Sequence, residues 1–280
     1  MLPPNPDAPA PTPEPTGFAP LLAQSSGRYV GSLRDGALFV LVAMVINLAT
    51  TLGAIGAGVM LAMSAPASGE LPVETMAIVE MLQALLMLVA AAAGIIGWWW
   101  LTTRDPQERT YNEPSRSRPL VRTAVLAQAV CLLGVAISPF VMGAAAPELS
   151  QDAALTGPMA LVMALGLGAG LAMIVKFFAS MSYLRWIASR IPDETLEEGA
   201  ARFMWMGPFL IVGVPILGGV MMFFVPLIIG LGVIIAPLIA LVMYWNLIFK
   251  AWKGLSEIAA DQRDEAELLA QARRDTNLAA

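Results

Sequence analysis

Four polar side chains stand out where the chain is otherwise apolar, and they are the first candidates for any chemistry done in that medium. Asn47, Glu80 and Gln128 fall inside three different apolar stretches, and Lys176 falls near the end of a fourth. A charged group at the centre of a bilayer costs about 2.5–3.5 kcal/mol or more, so each ionisable one is a candidate for solute binding or proton movement. Glu80 is either a proton or cation site in a cavity or, one turn inside the outer edge, a side chain turned out to the headgroups. Lys176, in a last helical turn, is expected to snorkel to the nearer surface. Asn47 and Gln128 make an expected amide pair across two helices, of a kind worth about 1 kcal/mol or less. Asn47, Glu80 and Gln128 together form the candidate intramembrane polar site.

Much other chemistry is excluded by what the chain lacks. It has no histidine, which removes the commonest general base and zinc ligand, and its single cysteine, Cys131, sits in an apolar run. Intramembrane proteolysis would need a serine with a base, paired aspartates or a zinc motif; the apolar stretches hold no aspartate, and H-E-x-x-H is absent. There is no phosphate-cradling glycine loop ending in Lys-Ser or Lys-Thr, and Gly53-x-x-Gly56-x-Gly58 lies in an apolar helix without a dinucleotide site's strand or acid. The seventeen methionines read as adaptable packing, since a copper site would group them with His or Cys. No enzyme activity, metal or cofactor is expected. A net charge of −5 without a basic patch argues against nucleic acid as a partner.

The elements that must position these residues are transmembrane helices. Hydrophobic residues make up 58% of the chain and charged residues 13%, against about 25% charged in soluble domains. Apolar stretches of the ~20 residues needed to cross the hydrocarbon core recur along it. The expected fold is an all-α polytopic bundle of six spans, at about 38–60, 77–101, 121–142, 158–178, 206–226 and 230–249. These lie within a membrane domain of residues 34–250, preceded by a Pro-rich disordered tail (1–33) and followed by an amphipathic cytoplasmic helix and tail (251–280). Eight prolines in the first twenty residues, with no base, distinguish that tail from a secretory signal.

With six spans, all sixteen basic residues fall on one side of the bilayer. Arg and Lys are retained in cytoplasmic loops, so both termini are expected to be cytoplasmic, in a bacterial-type inner (plasma) membrane. Residues 206–249 carry no charge across 44 positions; as a single helix they would run about 66 Å, twice the core thickness. Since the stretch starts and ends on the basic side, it must cross an even number of times, with a turn near Pro226, Gly230 and Gly232, or else form a re-entrant pair. Pro215, Gly218, Gly219 and Pro237 are expected to kink or break these segments.

Trp98, Trp99, Trp100, Trp186, Trp205, Trp245 and Trp252 all sit toward the basic end and are expected as interfacial anchors. Small residues at four-residue spacing, Gly53 with Ala57 and Gly166 with Gly170, are expected at helix-packing faces. Phe177–Ile191 should extend the fourth span as an amphipathic piece in which Arg185 and Arg190 reach lipid phosphate, closed by Pro192. Asp193, Glu194, Glu197 and Glu198 then supply the acidic first turn of a short helix. The function these features favour is a non-enzymatic structural, assembly or regulatory component of a membrane complex. Its partners would be the lipid bilayer and other membrane proteins or further copies of itself. The alternative is a small-solute transporter or channel built around Asn47, Glu80 and Gln128.

Overall fold

Every element in the described residues is helical. The computed structural model describes residues 22–64, 73–106, 115–145, 157–191, 193–214 and 226–279. In chain order these form α1 (Gly27–Ser64), α2 (Val73–Leu101), α3 (Ser117–Ala145), α4 (Gly157–Ala188), α5 (Glu194–Pro208) and α6 (Pro226–Ala279). Among the described residues four of them, α1, α2, α4 and α6, are long and apolar enough to cross a bilayer. Only 17–28% of the residues in their most apolar stretches are buried by protein. The remaining surface, including Leu82, Leu85, Leu88, Leu167, Leu171 and Ile174, is exposed and requires an apolar solvent. This is a helical membrane-type protein.

Helix α1 packs along α2, α3 along α4, and α6 against α1. The buried core lies toward the end rich in bases, where Tyr29, Leu33, Trp98, Leu101, Tyr183, Ile187, Phe203 and Leu255 meet. One close approach sets the α1–α2 pair. A Cβ on Gly36 would lie 2.8 Å from the Gly97 carbonyl oxygen, and one on Gly97 would lie 2.8 Å from the Val40 nitrogen. Only glycine lets the two backbones touch there. Gly53, Gly166 and Gly170, expected at packing faces, instead have open space where a Cβ would stand, and Ala57 is only partly covered. Four-residue spacing marks a face that permits close approach; it does not say which neighbour arrives.

The amino-terminal segment is ordered earlier than its composition suggests. Leu22–Gln24 forms a 3₁₀ turn and α1 begins at Gly27, not near residue 34. Leu22, Val30 and Leu33 are wholly buried, and the Gln262 amide of α6 donates to the carbonyls of Ala23 and Ser25 at 2.9 and 2.8 Å. Burial of these three apolar side chains overrides the polar, proline-rich composition upstream; residues 1–21 of that tail lie outside the described residues.

Helix α6 also departs from expectation. It runs unbroken through Gly230, Gly232 and Pro237, with Pro226 at its first position, where the missing N–H costs nothing. Residues 215–225, which include Pro215, Gly218 and Gly219, lie outside the described residues. No break separates a sixth span from the carboxyl-terminal helix at 250–251. Ala251, Leu255 and Ala259, on the apolar face of the expected amphipathic helix, are buried in the core. Beyond Ala259 the helix is almost wholly exposed, as its acidic and basic residues suggest.

The acidic helix after residue 193 forms as read. Asp193 is its N-cap, accepting from the backbone N–H of Thr195 at 2.9 Å and of Leu196 at 3.3 Å. It does not stop short, because Pro208 lies inside it and the chain passes directly into a π-helical turn, Phe209–Gly213. Proline lacks the N–H that an α-turn needs and its ring crowds the carbonyl four residues back. A wider turn follows it here.

Candidate functional site

Three helices present the same spacing to one cavity. Met44, Asn47, Leu48 and Thr51 on α1, Met173, Lys176, Phe177 and Ser180 on α4, and Pro237, Ala240, Leu241 and Tyr244 on α6 all line it. Each set follows i, i+3, i+4, i+7, a single helix face. Leu238 of α6, Gln128 of α3, Phe203 of α5 and Ile211 of the π turn complete the wall. The volume is about 550 Å³, within the range of small-molecule sites. A second cavity, about 930 Å³, adjoins it on the α2 side and shares Met44, Asn47, Gln128, Met173, Lys176 and Tyr244.

The polar groups of this cavity come from sequence positions 47, 51, 128, 176, 180 and 244, and one hydrogen bond orders their centre. The Lys176 ammonium donates to Gln128 Oε1 at 3.1 Å. Lys176 is therefore turned across the bundle toward α3, and does not snorkel along α4 to the surface. Gln128 is engaged by this lysine and not by Asn47, although both amides face the same space. Among the described residues no carboxylate stands within 4 Å of the lysine to neutralise it. Thr51 and Ser180 return their hydroxyls to Asn47 O and Phe177 O, at 2.8 Å each, so both hydroxyl protons are used within their own helices. The side chain of Glu80, the third member of the expected polar site, lies outside the described residues.

The wall is stiffened by aromatic contacts. Phe203 stacks on Tyr244 with ring centroids 5.9 Å apart, and Phe177 meets Phe203 edge-on at 5.5 Å. Trp98, expected at the interface, is 2% exposed and lines the second cavity together with Tyr244. The other tryptophans divide: Trp99, Trp100 and Trp205 are exposed, whereas Trp186, Trp245 and Trp252 are half-buried.

Below the cavity, α4 and the turn that follows it carry the side chains that lock the basic end. The Tyr183 hydroxyl donates to Leu101 O at 2.9 Å. Arg190 is completely buried, pairs with Asp105 at 3.1 Å and lies 4.8 Å above the Trp186 ring. Ser25 joins both charges, donating to Asp105 Oδ2 and accepting from Arg190, each at 3.3 Å. Leu22 N–H donates to the Arg190 carbonyl at 3.2 Å. Arg190 thus holds three segments together, and the expectation that it reaches lipid phosphate is overturned. Helix α4 ends at Ala188 and a turn carries the chain back over the core; Pro192 lies outside the described residues. Arg185 is exposed and bonded to Glu197 at 3.1 Å.

A smaller pocket of about 310 Å³ opens between the start of α5 and the middle of α6. Thr195, Glu198, Gly199 and Arg202 face Met243, Asn246, Leu247 and Lys250, again at i, i+3, i+4, i+7 on each helix. The Lys250 ammonium donates to Thr195 Oγ1 at 3.2 Å, and that hydroxyl donates to Asp193 Oδ1 at 2.7 Å. The Thr195 hydroxyl bond is the largest effect and, with the two backbone N–H bonds and the Lys250 charge, it holds the Asp193 carboxyl below the usual carboxylate range against the opposing effect of desolvation. Among the described residues no cluster of His, Cys, Asp and Glu could hold a metal ion.

Comparison of the chain with protein-family models, with curated proteins and with solved structures finds no match.

Proposed function

We propose that the protein is a non-enzymatic membrane protein whose helical bundle binds a small solute, placing it in the transporter or channel class. The observation that carries this reading is the Lys176–Gln128 bond facing a 550 Å³ cavity that Asn47 shares. A lysine in apolar surroundings costs about 2.5–3.5 kcal/mol even by insertion scales, and an amide acceptor offsets only part of that. A solute bearing a carboxylate or another anionic acceptor would supply the counter-charge that no described residue provides. Its apolar portion would lie against Met44, Leu48, Met173 and Leu241. The test is uptake into proteoliposomes of a panel of radiolabelled small carboxylates, comparing wild type with Lys176→Met and, as a surface control, Lys253→Met. Saturable uptake that falls at least tenfold in Lys176→Met and is unchanged in Lys253→Met supports the reading. Absence of saturable uptake and of binding across the panel, or flux indifferent to Lys176→Met, overturns it.

A second reading, a structural or assembly component, is favoured by one observation. Gly53, Gly56, Gly166 and Gly170 leave open space on the outside of α1 and α4, as helix faces packed by a further membrane protein or a second copy would. Chemical crosslinking in native membranes, with and without Gly166→Leu, tests it: a stable adduct lost in the variant supports association, and a strictly monomeric protein opposes it.

A further inference from the structure

We propose that the pocket between α5 and α6 binds the phosphodiester headgroup of an anionic phospholipid. It is separate from the central cavity and has different chemistry. Two bases from different helices converge there, Arg202 and Lys250, with the Asn246 amide and the Thr195 hydroxyl between them. Among the described residues neither base is in a salt bridge, and Lys250 is held by the uncharged Thr195 oxygen at 3.2 Å. Neither charged head is met by a direct ion pair in the pocket, although Lys250 also acts on Asp193 across the Thr195 hydroxyl. Basic pockets between helices at a membrane surface recognise phosphate headgroups in this manner.

Two features select a lipid over a free phosphate. First, the Glu198 carboxylate also lines the pocket, so its formal charge is +1, not +2. That suits a monoanionic diester better than a phosphate carrying nearly two charges. Second, the surface leading from the pocket toward the apolar part of both helices is exposed and hydrophobic. Trp205, Phe209 and Val212 are 74%, 57% and 51% exposed, and on α6 Val242 and Ile239 are 65% and 47% exposed. A headgroup in the pocket would lay its acyl chains along these residues.

The probes are phosphatidylglycerol and phosphatidylcholine with identical acyl chains, added to the full-length protein in mild detergent and read by native mass spectrometry. Preferential retention of phosphatidylglycerol is expected. Arg202→Gln and Lys250→Gln should each reduce it about fivefold, and the double variant about 25-fold, from the usual contribution of one base near a membrane surface. Lys253→Gln, an exposed residue outside the pocket, should leave retention unchanged. Glu198→Gln should raise it, a gain that misfolding cannot produce. Equal retention of the two lipids, or a double variant equal to wild type, overturns the proposal. Displacement of phosphatidylglycerol by millimolar inorganic phosphate or glycerol phosphate would assign the pocket to a free anion and overturn the lipid assignment.

Discussion

Replacing Asp105 by Asn tests whether the basic end is held by its buried ion pair. The pair is 3.1 Å long with side chains 0% and 1% exposed, and Asn keeps the shape while removing one charge. Removing one partner of a buried pair costs about 3–5 kcal/mol, because the other charge stays desolvated. Arg190 keeps its stack on Trp186, so the lower end of that range applies here. At about 2–4 °C per kcal/mol for a chain of this size, a loss of about 3 kcal/mol lowers the melting temperature by roughly 6–12 °C. Intrinsic tryptophan fluorescence during thermal denaturation in mild detergent reads the change, since Trp98 and Trp186 border the core. The double variant Asp105→Leu with Arg190→Met should recover at least half the loss, because well-packed apolar groups replace a buried pair at little cost. Ser25 and Leu22 are tied to Arg190, so limited proteolysis near residue 25 should quicken in Asp105→Asn. A melting temperature within about 2 °C of wild type, or a double variant no more stable than either single one, would refute the reasoning.

Gly97→Ala should destabilise by about 2 kcal/mol or more, because its Cβ would stand 2.8 Å from the Val40 nitrogen, whereas Gly53→Ala and Gly166→Ala should be neutral or gain up to about 1 kcal/mol; melting temperatures decide. Asp193→Ala should cost about 1 kcal/mol as a lost N-cap, seen as faster hydrogen exchange at Thr195 and Leu196. The lowered Asp193 pKa means that its contribution is complete above the unfolded value of about 3.9 and is lost as pH falls through the lower folded value. The same exchange protection should therefore hold at pH 5 and fade only as pH falls below the unfolded value of about 3.9, and loss already at pH 6 would contradict it. With six spans and both termini inside, single cysteines at Glu70, Ala145 and Ile229 should label from outside and those at Arg109 and Glu197 should not; labelling at Glu197 would invert the arrangement.

The helical, membrane-type architecture was legible because it rests on composition and run length, which are properties of the sequence alone. The helix starting at Asp193 was legible for a similar reason, since a cap and an acidic first turn are local signals. What escaped was decided by contacts between distant segments. Nothing near residue 22 announces that Leu22 and Ser25 will be covered by residues 105, 190 and 262. Composition pointed the other way and was overridden by burial. Gly36 and Gly97 looked no different from Gly53 or Gly166, because close approach depends on the partner helix. Pro237 and the glycines at 230 and 232 are weak helix breakers in apolar surroundings, where an α-helix satisfies every other backbone group internally and the alternative is costly.

The polar character of the candidate cavity was legible in the sequence, and the direction in which each side chain turns was not. Asn47 and Gln128 stand out as amides at depth in apolar runs, and both line one cavity. Lys176 was assigned to the surface because a long side chain one turn from a helix end can ordinarily reach water, and that argument considers only its own helix. Helix α4 does not end there: it continues for twelve residues past Lys176, to Ala188, or about 18 Å. Over that distance Phe177, Tyr183 and Ile187 are covered by the other helices, so the shortest polar contact for the ammonium lies sideways, at Gln128. The stripe of Met173, Lys176, Phe177 and Ser180 contained the clue, since it is the same i, i+3, i+4, i+7 face as Met44, Asn47, Leu48 and Thr51. Two apolar helices that each carry polar groups on a single face, with lipid-suited residues elsewhere, have reason to turn those faces toward one another. The polar faces of the helices taken together, and not depth along each one, are what set the direction of Lys176.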